Sequence, residues 1–119
     1  MRMRRYRDLQ VWQRSMDLTL MAYHSTRTFP VEERYGLISQ IRRAAVSIPC
    51  NIAEGKGRAT DGEYLNQLSS ARGSLQELET LFMIAERLRY LTRSQLDELL
   101  EVCDHISRML TRLRESITQ

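Results

Sequence analysis

The clearest pattern in the chain is a pair of apolar heptad repeats in its second half. From residue 64 to 85, and again from 96 to 117, apolar side chains recur at alternating spacings of three and four. This spacing places them on one face of an α-helix, where they form the seam between antiparallel helices. Each segment is preceded by a Thr with Glu or Gln three residues later, which is the spacing of a capping box. We therefore predict helices over about residues 60–90 and 93–117.

Another helix is predicted over about residues 8–27, and its apolar residues form two stripes. One stripe consists of Leu9, Trp12, Met16, Leu20 and Tyr23, and the other, on the opposite side, consists of Val11, Leu18 and Ala22. A helix that is apolar on two sides is buried on two sides. We expect the first stripe to face the bundle core and the second stripe to contact another copy of the chain.

The remaining predicted helix, over about residues 32–54, contains Pro49 in its interior. Proline lacks the N–H donor, and its ring clashes with the carbonyl four residues earlier, here Ala45, at a cost of about 3 kcal/mol. Two or three buried aliphatic side chains, each contributing about 1.5–3 kcal/mol, compensate for this cost. We expect the helix to continue through Pro49, and the alternative is that it ends at Ile48. Gly55 is expected to cap its C-terminus.

Four amphipathic helices with short connections predict an all-α fold, an antiparallel up-down-up-down four-helix bundle in a single domain over residues 1–119. The longest wholly apolar run, 81–85, is too short to cross a bilayer, and no signal-peptide pattern follows the basic start of the chain. Cys50 and Cys103 are isolated, which favours reduced thiols. We therefore expect a cytoplasmic protein without a membrane partner.

The basic residues are almost all arginine and are concentrated in the first half of the chain. Residues 1–58 hold eleven basic and five acidic side chains, whereas residues 59–119 hold seven and ten. The planar guanidinium group suits phosphate and carboxylate recognition, although a compositional bias of the genome also explains an excess of Arg over Lys. The candidate nucleic-acid-binding residues are Arg2, Arg4, Arg5, Arg7, Arg42, Arg43, Lys56 and Arg58. The alternative for Arg42, Arg43 and Arg58 is that they pair with Glu54, Glu77 or Glu79.

The sequence shows no pattern of catalytic or metal-binding residues. Neither His24 nor His105 has a Glu three residues earlier, as a di-iron bundle requires. The acidic residues near His105 lie opposite the helix seam, where a solvated face paired with Arg108 is the better interpretation. No glycine-rich phosphate loop is present. We therefore expect no catalytic residue, metal site, cofactor or small-molecule substrate, and we keep an enzyme or metalloprotein only as a third hypothesis.

Three segments resemble a known family: DLQVWQ at 8–13, FPVEERYGLISQIRRAAVSIPCNIAEGKGR at 29–58 and GSLQELET at 73–80. Together they are similar to the four-helix-bundle proteins also called the 23S rRNA-intervening-sequence protein or S23 family. The resemblance implies a bacterial, cytosolic, non-enzymatic protein. Related bundles form homopentameric rings, and accessory variability determinant proteins of diversity-generating retroelements bind a reverse transcriptase and nucleic acid through a basic surface.

The resemblance therefore implies a homopentamer with RNA, or a reverse-transcriptase-like nucleoprotein, as a possible partner. A ring would explain the two-sided first helix and the small, polar back of the helix that contains Pro49. The expected interface residues are Val11, Leu18, Ala22, Ser47, Cys50 and Glu54. The leading hypothesis is a homo-oligomer that binds RNA through arginine-rich surfaces, and the alternative is a protein-interaction scaffold without a nucleic-acid role.

Overall fold

Four long helices account for most of the molecule. The computed structural model describes residues 5–118, and within them lie α1 (Gln10–Thr26), α2 (Leu37–Lys56), α3 (Asp61–Arg87) and α4 (Arg93–Thr118). Two short 3₁₀ turns, Tyr6–Asp8 and Val31–Glu33, precede α1 and α2. Residues 5–118 contain no β-strand. The predicted all-α class is confirmed.

Contacts between neighbouring helices show the antiparallel order of a bundle. Thr19 of α1 contacts Ala45 of α2, whereas the later Tyr23 contacts the earlier Arg42. The same reversed order holds between α3 and α4, and α4 returns to pack against α1. The first 3₁₀ turn, the end of α2 and the start of α3 therefore lie at one end of the bundle. The connection 27–36 and the α3–α4 turn lie at the other, which we call the loop end.

The heptad positions of α3 and α4 supply half of the core, as the sequence predicted. The buried seam residues are Leu68, Ala71, Leu75, Leu78, Phe82 and Ala85 of α3, and Leu96, Leu99, Cys103, Ile106 and Leu110 of α4. They face Ile41, Ala45, Ile48 and Ile52 of α2, which are fully buried. Burial of aliphatic and aromatic side chains along the whole length of the bundle is the main force that holds the helices together.

The stripe of α1 that we expected on the outside of the bundle faces the core instead. Leu18 and Ala22 are fully buried and Val11 is nearly so, which means that they contact the other helices of the same chain. The prediction that these three residues form an interface with a sister chain is therefore wrong. Ser15 and Thr26 are buried beside them because their hydroxyls donate to carbonyls of the preceding turn, at 2.7 and 2.9 Å.

The larger apolar residues of α1 consequently face outward. Met16, Leu20 and Tyr23 are exposed, and Trp12 is half-buried. We call these four residues the outer stripe. The expectation that the first predicted stripe lines the bundle core was wrong for Met16, Leu20 and Tyr23, whereas Leu9 and Trp12 pack against the core. Periodicity shows that a helix has two apolar faces but does not show which face packs more closely. Small side chains on the inner face allow α1 to approach α2 closely.

The helix α2 continues through Pro49 without a break. The Ala45 carbonyl, which Pro49 leaves without its usual backbone donor, accepts a hydrogen bond at 3.2 Å from the Thr19 hydroxyl of α1. The same hydroxyl lies 2.9 Å from the Ser15 carbonyl, so its one proton is shared between two acceptors. The neighbouring helix thus supplies the donor that the proline removes.

Both ends of α2 differ from the prediction. The helix begins at Leu37, whose N–H donates to the Glu33 carboxylate at 3.0 Å, and that carboxylate also accepts the Tyr90 hydroxyl at 3.0 Å. The hydrogen bond from Tyr90 to Glu33 raises the pKa of Tyr90 and connects the loop 27–36 to the α3–α4 turn. At the other end, Gly55 is not the cap, because the helix runs on to Lys56.

Gly55 instead permits a close approach between α2 and α3. It is buried, and a Cβ at this position would lie 2.8 Å from Cδ1 of Tyr64 and 3.0 Å from Cβ of Gln67. The Tyr64 ring therefore packs directly over the glycine backbone. Burial at this contact raises the pKa of Tyr64.

The bond between Thr19 and Ala45 predicts a coupling between Thr19 and Pro49. We expect Thr19→Val to lower the free energy of unfolding by about 1 kcal/mol, because the Ala45 carbonyl loses its donor. In a Pro49→Ala background, the restored N–H satisfies that carbonyl, so the same substitution costs about half as much or less. Urea unfolding of the four chains of this double-mutant cycle measures both costs. Equal costs in the two backgrounds would show that the hydroxyl does not replace the missing donor.

Candidate interaction surfaces

The predicted basic residues divide between two places on the surface. Arg7 lies in the first 3₁₀ turn, which packs against α2, and Arg5 directly precedes this turn. Lys56 is the last residue of α2, and Arg58 follows two residues later. Lys56 is half-buried and the other three are exposed. We call these four residues the basic end. Arg2 and Arg4, which were also predicted, lie outside the described residues.

Arg42 and Arg43 do not join the basic end. Fourteen residues of helix separate Arg42 from Lys56, which corresponds to about 20 Å. The Arg42 Nε donates to the Thr26 hydroxyl at 2.9 Å, and its guanidinium lies 4.5 Å from the centroid of the Tyr23 ring. Arg42 therefore holds α1 against α2. Arg43 is exposed and donates to the Ser39 hydroxyl at 3.3 Å.

In the described part of the chain, Arg42, Arg43 and Arg58 do not form the ion pairs with glutamates that were the alternative prediction. Between residues 5 and 118 the ion pairs are Arg14–Asp17, Arg93–Asp97 and Arg108–Asp104, all within single helices. The Arg93–Asp97 and Arg108–Asp104 pairs lie on the face of α4 that we predicted to be exposed to solvent. The arginines that connect helices do so through hydroxyl and carbonyl oxygens instead.

Two of these connecting arginines were missed by the sequence analysis. Arg72 of α3 donates to the hydroxyls of Ser107 and Thr111 at 3.0 and 2.8 Å. Arg114 of α4 donates to the Leu65 carbonyl and the Ser69 hydroxyl, at 3.2 and 2.9 Å. Their partners are neutral, so no pattern of opposite charges marked them in the sequence.

The predicted interface residues of α2 also divide. Cys50 and Glu54 are exposed on its outer side. Ser47 is half-buried, its hydroxyl lies 2.8 Å from that of Ser74, and it accepts a hydrogen bond from the Asn51 amide at 2.9 Å. Ser47 therefore belongs to the contact between α2 and α3, whereas Cys50 and Glu54 are free to meet another molecule.

The outer stripe forms an exposed apolar surface near these residues. It borders α2 through Arg42, and Val46, one turn further along that helix, is also exposed. Trp, Tyr, Met and Arg are the residue types that protein interfaces favour relative to the remaining surface. The outer stripe, and not Val11, Leu18 and Ala22, is thus the face of α1 that is available to a partner.

The basic end contains an aromatic pair that the sequence analysis did not identify. The rings of Tyr6 and Trp12 lie 5.4 Å apart between centroids, at 71°, and the Arg7 guanidinium lies 5.8 Å from the Tyr6 centroid. The Gln13 side chain donates to the Arg7 carbonyl at 2.9 Å and so fixes the turn on α1. The signal available in the sequence was the short spacing between the basic residues Arg5 and Arg7 and the aromatic residues Tyr6 and Trp12.

Within residues 5–118, no group of three or more His, Cys, Asp or Glu side chains is placed to hold a metal ion. None of the four helices is both long enough and apolar enough to cross a membrane.

Comparison with known proteins identifies the family to which this four-helix bundle belongs. The family model described as 23S rRNA-intervening sequence protein matches residues 7–112. The chain belongs to this family. The family assignment agrees with the resemblance carried by the segments at 8–13, 29–58 and 73–80.

A solved structure shares the fold of this family member. It is a crystal structure of a protein of unknown function from the S23 ribosomal protein family of Bacteroides thetaiotaomicron. The two chains are 22% identical, the TM-score is 0.82, and the alignment covers 88% of this chain and 95% of the other. Among proteins with curated descriptions, none matches. The comparisons therefore establish the family and the fold, and they indicate no catalytic family.

The two cysteines are predicted to differ in reactivity. Burial, and the nearby Glu79, raise the pKa of Cys103 to about 12, whereas Cys50 is exposed. Since only the thiolate reacts, we expect a maleimide reagent at neutral pH to label Cys50 alone in dilute native protein and both cysteines in denaturant. Mass spectrometry counts the labels, and a Cys50→Ser chain is the control that should stay unlabelled until it unfolds. Native labelling of Cys103 at the rate of Cys50 would contradict its burial.

Proposed function

We propose that this protein is a non-catalytic, self-associating helical bundle that binds RNA through its basic end. The single observation that carries the RNA role is a contrast between two groups of cations. Arg42, Arg72 and Arg114 are engaged in helix packing, whereas no residue of the basic end forms an ion pair in the described part of the chain. Arg5, Arg7 and Arg58 are exposed and are therefore available to phosphates.

The sequence supplies two further predicted basic residues. Arg4 directly precedes Arg5, and Arg2 is three residues before it. We include both in the proposed RNA-binding set because they adjoin Arg5 in the chain. The family description refers to an intervening sequence of 23S rRNA, which makes RNA the natural first candidate for the partner.

Self-association is supported by the way α1 distributes its side chains. The helix buries its inner face but leaves Met16, Leu20 and Tyr23 exposed on the opposite side, where they form an apolar surface. A second copy that covers the outer stripe would remove this apolar area from water at about 25 cal/mol per Å². Cys50 and Glu54 lie on the outer side of α2 and belong to the proposed interface. A ring of five subunits, in the cytoplasm, is the form that the family resemblance implies.

A scaffold without a nucleic-acid role is the second candidate. The observation that favours it is the use of Arg42, Arg72 and Arg114 in packing, which shows that arginine serves structure in this chain. Under this alternative the arginines of the basic end contact another protein, of which a reverse-transcriptase-like nucleoprotein is one example. The two candidates differ in one measurable property, the salt-dependent affinity for RNA.

Replacement of the basic end tests the RNA role. We expect Arg5→Gln, Arg7→Gln, Lys56→Gln and Arg58→Gln together to lower RNA affinity at least tenfold. The slope of log K against log salt should become shallower by up to about 3, since each lost phosphate contact to a single strand contributes about 0.7. Filter binding at several salt concentrations measures both quantities.

The matched control replaces four exposed arginines of the loop end, Arg27, Arg34, Arg87 and Arg89, by Gln. This control chain has the same net charge as the variant of the basic end. It should nevertheless bind RNA as tightly as the unchanged protein does. If the two variants lose affinity equally, binding reflects total charge and not the basic end. If the unchanged protein shows no salt-sensitive binding, the RNA role is excluded and the scaffold remains.

A charge placed on the outer stripe tests self-association. Leu20 is 67% exposed, so Leu20→Glu is tolerated by the isolated bundle but places an unpaired carboxylate in a subunit interface. We expect this variant to be monomeric by light scattering while the unchanged chain forms an oligomer. Val31→Glu is the control, because Val31 is 68% exposed and lies away from α1. A monomeric unchanged chain at high concentration would rule out self-association.

A further inference from the structure

The aromatic pair beside the basic end leaves part of the Tyr6 ring open to solvent. Tyr6 is 38% exposed although it contacts Trp12, and it lies between two arginines in the chain. A ring that is rigidly backed and partly open is the feature that single-strand-binding proteins use to stack a base.

The turn that carries Tyr6 is held in place by several hydrogen bonds. The Leu9 N–H donates to the Tyr6 carbonyl at 3.0 Å, and the Arg5 N–H donates to the Asp8 carboxylate at 3.3 Å. Gln13 fixes the Arg7 carbonyl from α1. The ring is therefore held before a ligand arrives, which lowers the entropy that binding must overcome.

The Arg7 guanidinium is only loosely attached to the ring. Its distance of 5.8 Å from the Tyr6 centroid is close to the limit of about 6 Å for a cation–π contact. Arg7 is exposed and makes no ion pair within residues 5–118, so it can turn to a phosphate without breaking a strong contact. Tyr6 and Arg7 thus offer a stacking surface beside a phosphate ligand.

We infer that Tyr6 stacks an unpaired nucleobase, so that the basic end selects single-stranded over double-stranded RNA. This inference rests on the proposed RNA role. Bases of an A-form duplex are stacked on each other and offer only phosphates and hydroxyls to such a surface. An unpaired strand offers both a phosphate for Arg7 and a base face for Tyr6.

The test compares three variants on two probes. The variants are Tyr6→Leu, which keeps an apolar contact with Trp12 but has no aromatic face, Tyr6→Phe, which keeps the face, and Tyr35→Leu. Tyr35 is 89% exposed at the loop end and serves as the matched control. The probes are an oligouridine of about ten nucleotides and a duplex RNA of the same length. Affinity is measured at several salt concentrations.

We expect Tyr6→Leu to bind the single strand about tenfold more weakly with an unchanged salt slope, since stacking releases no counterions. Its duplex affinity should not change, and Tyr6→Phe and Tyr35→Leu should behave as the unchanged chain does. Trp12 is the one tryptophan of the sequence and lies beside Tyr6, so its fluorescence should change on binding the single strand and much less on binding the duplex.

Three results would overturn the inference. If Tyr6→Leu binds the single strand normally while the Gln variant of the basic end does not, phosphates alone are recognised and the proposed function stands without stacking. If the unchanged protein binds the duplex as well as the single strand, selectivity is absent. If it binds neither probe, the proposed RNA role fails together with the inference.

Discussion

The close contact between α1 and α2 determines which face of α1 is buried and which is exposed. Pro49 leaves the Ala45 carbonyl without a donor, and Thr19 of α1 supplies one from 3.2 Å away. That distance requires α1 to pack tightly on α2, and tight packing requires small side chains such as Ser15 and Ala22 on the inner face. Met16, Leu20 and Tyr23 are directed outward, whereas Leu18 packs into the core.

Arginine has two distinct uses in this protein. Arg42, Arg72 and Arg114 reach across helix boundaries to neutral oxygens, where five donors in a planar fork satisfy several acceptors at once. Such contacts fix the alignment of the helices without requiring a buried carboxylate. The arginines of the basic end have no such role in the fold. A count of basic residues in the sequence does not separate these uses, because the separation depends on which neutral groups lie opposite.

The sequence predicted the parts of the fold that depend on a single periodic pattern. The seams of α3 and α4 have one apolar face each, so their buried positions followed directly from the spacing. The orientation of α1 did not follow, because it has two apolar faces and the choice depends on the shape of α2. Gly55 was predicted to end α2 because the pattern within one helix does not show contacts with a neighbouring helix. Its function is to admit the Tyr64 ring, and that contact joins residues of different helices.

The most direct test of the orientation of α1 is the labelling rate of single cysteines placed at positions 20 and 22 in a Cys50→Ser chain. With Leu20→Cys, the account predicts fast labelling in dilute solution and slower labelling as the concentration rises and the stripe becomes covered. With Ala22→Cys, it predicts no labelling of the native protein at any concentration. Faster labelling at position 22 than at position 20 would show that α1 is turned the other way and would contradict the account.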